Sequence, residues 1–214
     1  VLTSLASAQG GLGDNAGRRG LLERALRIKE KALGPDHAEV AVALARLAGV
    51  LGNEAEDRKT RRELLERALE ILERAPGGGD SDGGATASVR EELAAACLAL
   101  GEAGRAEALL RQALEAQELA LGPDHADVAC TLSALAAALA AWGRHSEARE
   151  LHGRALDIRE RRYGAEQLEV GRSLAGLAES SVALGRQGEA RGLWQRALAI
   201  FERELGPEHF EVAK

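Results

Sequence analysis

The sequence predicts an all-α protein, an α-solenoid in which antiparallel helical hairpins stack one after another. The first observation is a repeat, because Ala113, Ala155 and Ala197 occupy equivalent places 42 residues apart in similar surroundings. The second is composition. Aromatic residues make up 2% of the chain, only four prolines occur, and the helix formers Ala, Leu, Glu and Arg dominate. A repeat of about 20 to 50 residues is typical of stacked-repeat proteins.

Each repeat contains two helical patterns. The first covers residues 124–142, where apolar residues recur every three or four positions and so lie on one face of a helix; they are Val128, Leu132, Leu135 and Leu139. The second runs from about residue 146 to 163 and is expected to bury Ala148, Leu151, Ala155, Leu156 and Ile158. Gly143 lies between them and predicts a tight turn. We expect helices of about 17–19 residues, given the spacing of these turns.

The links between repeats have the sequence Gly-Pro-Asp-His. In the link that starts at Gly122, the glycine can end one helix with a positive φ and Pro123 prevents its continuation. Asp124 is then expected to cap the next helix, and residues 36–39 have the spacing of an acidic capping box. The link at 164–167 keeps the glycine and has lost the proline and the histidine.

The repeat register predicts a single array over residues 1–214. The array is expected to be a fragment of a longer protein, since the chain contains no methionine. The predicted parts are a partial repeat at 1–33, repeats at 34–76, 77–121, 122–163 and 164–205, and the start of a further repeat at 206–214. A Gly/Asp-rich insert at 75–84 is expected to be a flexible loop.

Composition and motifs exclude several classes of function. The net charge of −6 argues against a nucleic-acid-binding protein, which usually has a basic excess. No apolar run is long enough to span a membrane. Two cysteines without metal-ligand spacing favour a reducing, cytoplasmic setting. No phosphate-binding loop, nucleophile with a base, or metal set is recognisable, so we expect no enzyme, no cofactor and no small-molecule substrate.

Some individual residues allow a functional and a structural interpretation. The histidines His37, His125 and His209 recur at one position of the repeat and do not converge, which favours a role at helix starts over a metal site. Cys97 and Cys130 are interpreted as small helical residues rather than nucleophiles. Trp142 and Trp194 are expected to pack within hairpins rather than to be exposed anchors. The basic cluster at 58–62 is expected to be a solvated helix start rather than an anion site.

Several short motifs recur in phase with this repeat. The first helices carry Leu-Ala pairs at 47–48, 93–94, 135–136 and 177–178, and the second helices carry Glu-Ala and Arg-Ala-Leu elements at 147–148, 154–156, 189–190 and 196–198. Together with the Gly-Pro-Asp-His links, these residues make the whole chain resemble a tetratricopeptide repeat array of the long type found in kinesin light chains. The resemblance implies a right-handed superhelix whose concave groove, lined by the first helix of each pair, binds peptides.

The resemblance also implies which residues face the groove. These are Val42, Ala45, Arg46, Gly49, Ser88, Glu91, Ala95, Cys130, Ser133, Ala137, Arg172, Ala175 and Glu179. The groove is small, rather apolar and poor in fixed hydrogen-bond donors, which suits an apolar helix or an extended peptide with bulky anchors. The structural alternative is that the alanines only allow close helix packing. Kinesin light chains carry paired asparagines before the Leu-Ala pairs, and here those positions hold Ala45-Arg46, Glu91-Glu92, Ser133-Ala134 and Ala175-Gly176.

The function that these observations predict is a non-catalytic scaffold that binds a peptide or helix of a partner protein, through the groove or through an outer helical face. One alternative is a cargo adaptor like a kinesin light chain. Another is a regulatory segment of a multidomain signalling ATPase. A spacer with an empty groove is the structural alternative.

Overall fold

The structure, a computed structural model, describes residues 2, 15–74, 84–209 and 212. Nine helices and no strands lie within these ranges. In chain order they are α1 (Asn15–Leu33), α2 (Ala38–Ala48), α3 (Ala55–Arg74), α4 (Gly84–Ala99), α5 (Ala103–Leu121), α6 (Ala126–Ala141), α7 (His145–Tyr163), α8 (Leu168–Ala183) and α9 (Gln187–Leu205). The predicted all-α class of helical hairpins is confirmed. The interpretations made of residues 3–14 and of the insert at 75–83 lie outside the described residues.

Short and long helices alternate within the hairpins. The second helices α3, α5, α7 and α9 have 19 or 20 residues, close to the predicted length. The first helices are shorter than predicted, with 16 residues in α4, α6 and α8 and 11 in α2. In α2 the cause is local. Gly49 is its C-cap, and Gly52 and Asn53, which disfavour helix, follow it.

The chain divides into two compact units, and the boundary lies between Ala113 and Leu114. Each unit has its own core. In the first unit, which we call unit 1, Leu22 of α1 and Leu47 of α2 form a buried cluster. In the second, unit 2, the stripe predicted for α6 is fully buried. Val128 and Leu132 of this stripe pack with α7. A further cluster joins α8 and α9.

The glycine turn after α6 is a Schellman motif, as its sequence predicts. Gly143 has a φ of 77°, a conformation that L side chains rarely adopt. Its N–H donates to the Ala140 carbonyl at 2.9 Å, and the Arg144 N–H donates to the Leu139 carbonyl at 2.9 Å. The same pair of bonds recurs around Gly101 and Gly185. This turn therefore reverses the chain between the two helices of a hairpin at a fixed place in the repeat.

The helix after each Gly-Pro-Asp-His link is capped by the histidine, and the prediction that Asp124 is the cap is wrong. The N-cap of α6 is His125, whose Nδ1 accepts a hydrogen bond from the Asp127 N–H at 3.2 Å. His37 accepts from the Glu39 N–H at 3.1 Å in the same way. The cap position does not depend on the proline, since the N-cap of α8 is Gln167, at the same place in the link that lacks a proline. The helix-start role predicted for these two histidines is confirmed.

We expect His125→Ala to lower the free energy of unfolding by about 1 kcal/mol, because it leaves the Asp127 N–H without its acceptor. Urea unfolding followed by circular dichroism measures this change. His125→Asp, which supplies another good cap, should recover most of the loss. Equal loss in both variants would contradict the capping role.

The basic cluster at 58–62 is not the solvated helix start that the sequence predicts, although α3 does begin there. Arg61 donates to three carbonyls at the end of α2, among them Ala48 O at 3.2 Å. Arg58 donates to the Ala99 carbonyl at 3.0 Å. Arg62 pairs with Glu102 at 2.6 Å. These side chains bind backbone carbonyls and a carboxylate of neighbouring turns, where helix ends leave carbonyls without an intrahelical partner.

Candidate functional site

A groove-like cavity of about 890 Å³ lies in unit 1. Helices α2 and α4 supply its small residues, including Val42, Ala45 and Gly49 from α2. Ala45 is half-buried and Gly49 is exposed, so this wall carries little side-chain volume. The helix periodicity of α2 explains the arrangement, because residues three or four apart share one face.

The floor of this cavity comes from the second helices and is apolar. Leu22 of α1 and both Leu65 and Leu72 of α3 line it, and all three are buried. These residues were not predicted for the groove, because the resemblance assigns the groove to first helices alone. The apolar periodicity of the second helices could have predicted them, since these leucines continue the buried stripe of each second helix.

The rim of the cavity is charged. Arg18, Arg46, Arg61 and Glu92 line it. Burial raises the pKa of the Glu92 carboxyl, and the positive charge of Arg61 acts in the opposite direction. Since Arg61 is held by the carbonyls that end α2, it is a fixed part of this rim. A cavity that combines an apolar floor with polar groups at its edge is the usual composition of a binding site.

Most of the residues predicted for the groove in unit 1 line this cavity. They are Val42, Ala45, Arg46, Gly49, Ser88 and Ala95. Glu91 does not line it, and the next residue, Glu92, does. The predicted and the observed lining residue are therefore one position apart on α4, which corresponds to a rotation of about 100° around the helix axis.

The residues predicted for the groove in unit 2 lie on α6 and α8. Ala137, Arg172 and Glu179 are exposed, and Ala175 is half-buried. Ser133 is half-buried and accepts a hydrogen bond at 2.8 Å from Arg159 of α7. Arg159 is buried, and this was not predicted, because its position in the sequence of α7 indicates only which helical face it is on.

The two tryptophans do not pack inside hairpins, so this prediction is wrong. Trp142 is the C-cap residue of α6 and is 54% exposed, and Trp194 is 37% exposed. Trp194 lines a second cavity of about 400 Å³ with residues that include Val182 and Leu198. In the preceding repeat the residue equivalent to Trp194 is His152, which Gly176 of the next hairpin covers. No helix among the described residues covers α9 in this way.

The two free cysteines differ in exposure. Cys97 is buried, and burial raises the pKa of its thiol to about 11, which keeps it protonated and unreactive. Cys130 is exposed. No group of three metal-ligating side chains occurs in the described ranges. Among the helices described, none is both long enough and apolar enough to cross a membrane.

Comparison with known proteins identifies the repeat. A family model described as "Tetratricopeptide repeat" matches residues 85–161 and 143–203, which together are more than half of the chain, and a second model of the same description matches residues 1–39. No curated protein matches the sequence.

Three solved structures illustrate the likeness. The first holds the nearly identical TPR-like repeats of a kinesin light chain-like protein from Podosopora anserina; identity is 26%, TM-score 0.81, and 94% of this chain and 93% of that chain are covered. BtubC (BKLC) from P. vanneervenii has 22% identity, TM-score 0.81 and coverages of 96% and 80%. YrrB, a TPR protein with an unusual peptide-binding site, has 14% identity, TM-score 0.58 and coverages of 99% and 88%. The chain belongs to the tetratricopeptide repeat family and is of the kinesin light chain-like type.

Proposed function

We propose that this chain is a non-catalytic scaffold that binds a peptide or helix of a partner protein, with the cavity of unit 1 as the main binding site. The observation that carries the proposal is the cavity itself, whose volume of about 890 Å³ lies within the range of ligand sites. Family membership supports it, since the fold is generally an interaction scaffold, and YrrB is a TPR protein with an unusual peptide-binding site.

The composition of the cavity indicates what would bind there. Its floor of leucines removes an apolar side chain from water, which contributes about 1.5–3 kcal/mol for a residue such as Leu or Phe. Ala45 and Gly49 leave room for that side chain between α2 and α4. The charged rim would hold the polar backbone or flanking residues of the partner.

We expect Ala45→Arg to weaken peptide binding about tenfold or more, because the longer side chain occupies the cavity above Leu65. The probe is a peptide selected on the purified chain from a random phage-displayed library and titrated by fluorescence anisotropy. Ala108→Arg is the matched control. It introduces the same residue at an exposed position of α5, and both substitutions keep a good helix former.

Equal binding of the peptide to the natural chain, Ala45→Arg and Ala108→Arg would place the peptide on another surface and contradict the role of the cavity. Selection of no peptide at all would contradict the scaffold function, and so would any catalytic turnover by the purified chain. Circular dichroism of each variant checks that the helices are intact.

A more specific candidate is a cargo-binding array like that of a kinesin light chain. The Podosopora anserina structure favours it, since the likeness extends over nearly the whole of both chains. The two free thiols, one of them exposed, accord with the reducing cytoplasm that this function requires. Affinity capture of the chain with a motor heavy chain tests this candidate, and capture with neither motor nor cargo would contradict it.

A further inference from the structure

Helix α9 carries an apolar stripe that the described part of the chain leaves in contact with water. Trp194 is 37% exposed and Leu198 is 40% exposed. The equivalent residues of α7 are His152 and Leu156, and each of them is 8% exposed. Leu156 belongs to the core cluster that joins α8 and α9, so the following hairpin covers this face in the preceding repeat. The face of α9 therefore has the character of a buried surface, and no described element buries it.

The cavity of about 400 Å³ in unit 2 lies along this stripe. Val182 of α8 lines it together with Gln187, Arg191, Trp194 and Leu198 of α9. Val182 is also an exposed apolar residue, so the cavity joins three such side chains into one patch. A contiguous exposed apolar patch with polar residues at its edge is typical of a protein interaction surface.

The charged residues of α9 fall into two groups. Those that form ion pairs within the described chain are Glu189, Arg196, Arg203 and Glu204. The other two, Arg191 and Glu202, are exposed and have no side-chain partner among the described residues. Arg191 lies three residues before Trp194, and Glu202 lies four residues after Leu198. These spacings keep residues on one face of a helix, so both unpaired charges flank the apolar stripe, one at each end.

The preceding repeat shows how these two positions are used when the surface is covered. The residues of α7 that are equivalent to Arg191 and Glu202 are Arg149 and Glu160. Both pair with oppositely charged side chains of the neighbouring helix α9. An element that covers α9 in turn needs a negative charge near Arg191 and a positive charge near Glu202.

A second copy of α9 meets this requirement when the two helices are antiparallel. With a two-fold axis near residue 196, Arg191 of one copy lies opposite Glu202 of the other. The same register places Trp194 opposite Leu198 of the other copy. Each contact occurs twice because the interface is symmetric. A parallel pair would instead bring like charges together, which is unfavourable.

We propose that the exposed stripe of α9 is a homodimer interface, in which the α9 helices of two copies of this chain pack antiparallel. Helix α9 has 19 residues and is therefore about 28 Å long. With the flanking end of α8, such a helix pair buries on the order of 1,000 Å² in total, at the lower limit for specific interfaces. The dimer is therefore expected to be weak, with a dissociation constant in the micromolar range.

Sedimentation equilibrium of the natural chain tests the dimer over a series from micromolar to millimolar concentrations. We expect the mass to rise from 22.5 kDa towards twice that value. Trp194→Ala should weaken self-association about tenfold or more, because it removes the largest apolar side chain of the interface. The residue is part-exposed in the monomer, and circular dichroism checks that the helices are intact.

Charge reversal tests the antiparallel register. Arg191→Glu and Glu202→Arg each place like charges opposite one another at two points, so each should weaken self-association about tenfold or more. An equimolar mixture of the two variants should form a heterodimer about as tightly as the natural chain, because opposite charges then face each other again. Arg27→Glu is the matched control, since it reverses the same charge at an exposed position of α1. It should dimerise like the natural chain.

A natural chain that stays monomeric over the whole series would overturn the inference and leave the stripe to a different protein. A mixture of Arg191→Glu and Glu202→Arg that associates no more tightly than either variant alone would overturn the antiparallel interface. Dimerisation that none of these substitutions weakens would place the contact on another surface. The peptide binding proposed for unit 1 does not depend on α9, and Ala45→Arg tests it separately.

Discussion

Replacing Leu132 by alanine should lower the free energy of unfolding by about 2–5 kcal/mol. Leu132 has no exposed surface and packs with Ala155 and Ile158 of α7. Its truncation removes apolar contacts and leaves a cavity that two helices cannot close without moving. Urea or thermal unfolding followed by circular dichroism measures the loss. Helix propensity has little part in it, because alanine is the better helix former.

The chain offers a matched control in Leu119→Ala. Leu119 lies in a helix of the same unit and is 89% exposed, so the same three-carbon truncation removes almost no buried surface. We expect a change within about 0.5 kcal/mol. Similar losses in both variants would contradict the core described for α6 and α7.

The free energy of unfolding should fall as pH is lowered from about 6.5 to 4, by about 3 kcal/mol from His152 alone, because each pKa unit is worth about 1.4 kcal/mol. Burial and the charge of Arg159 lower the pKa of this imidazole from 6.5 to about 4. The folded protein therefore holds His152 neutral, while the unfolded chain takes up a proton in this range. Protonation thus favours the unfolded state, and the effect is complete below about pH 4.

His152→Leu isolates this contribution. Leucine occupies the equivalent buried positions Leu22, Leu65 and Leu110, so the fold accepts it there. Carboxylates with lowered pKa values, such as those of Glu39 and Glu189, also destabilise the protein in acid, and the variant retains them. The natural chain should lose stability more steeply than the variant between pH 6.5 and 4. Parallel curves would show that His152 is not held neutral.

The exposed face of α9 shows why local sequence does not predict burial. Trp194 is equivalent by position to His152, and both lie on the same stripe of a second helix. His152 is buried because Gly176 of the following hairpin lies against its ring, where an added Cβ would come within 2.6 Å. Trp194 has no such neighbour among the described residues. Position in the repeat determines which face a residue is on, and the next hairpin determines whether that face meets water.

The sequence by itself determined the repeat period, the alternation of two helices and the glycine turns. Each of these depends on residues close together in the chain. The 3.6-residue period selects one face, and Gly143 has a conformation that other residues disfavour. The stripe through Val128 and Leu132 was therefore predictable, as was most of the small-residue wall of the unit 1 cavity.

Only the tertiary structure decided which long polar side chains are used inside the molecule. Arg61 reaches the carbonyls that end α2, and Arg159 lies between hydroxyls of α6 and α8. In sequence, both look like the solvated arginines that cover any amphipathic helix. The partners are 9–13 residues away for Arg61 and 14–29 for Arg159. Arginine has a long, flexible stem, so a helical period specifies its direction and not its partner.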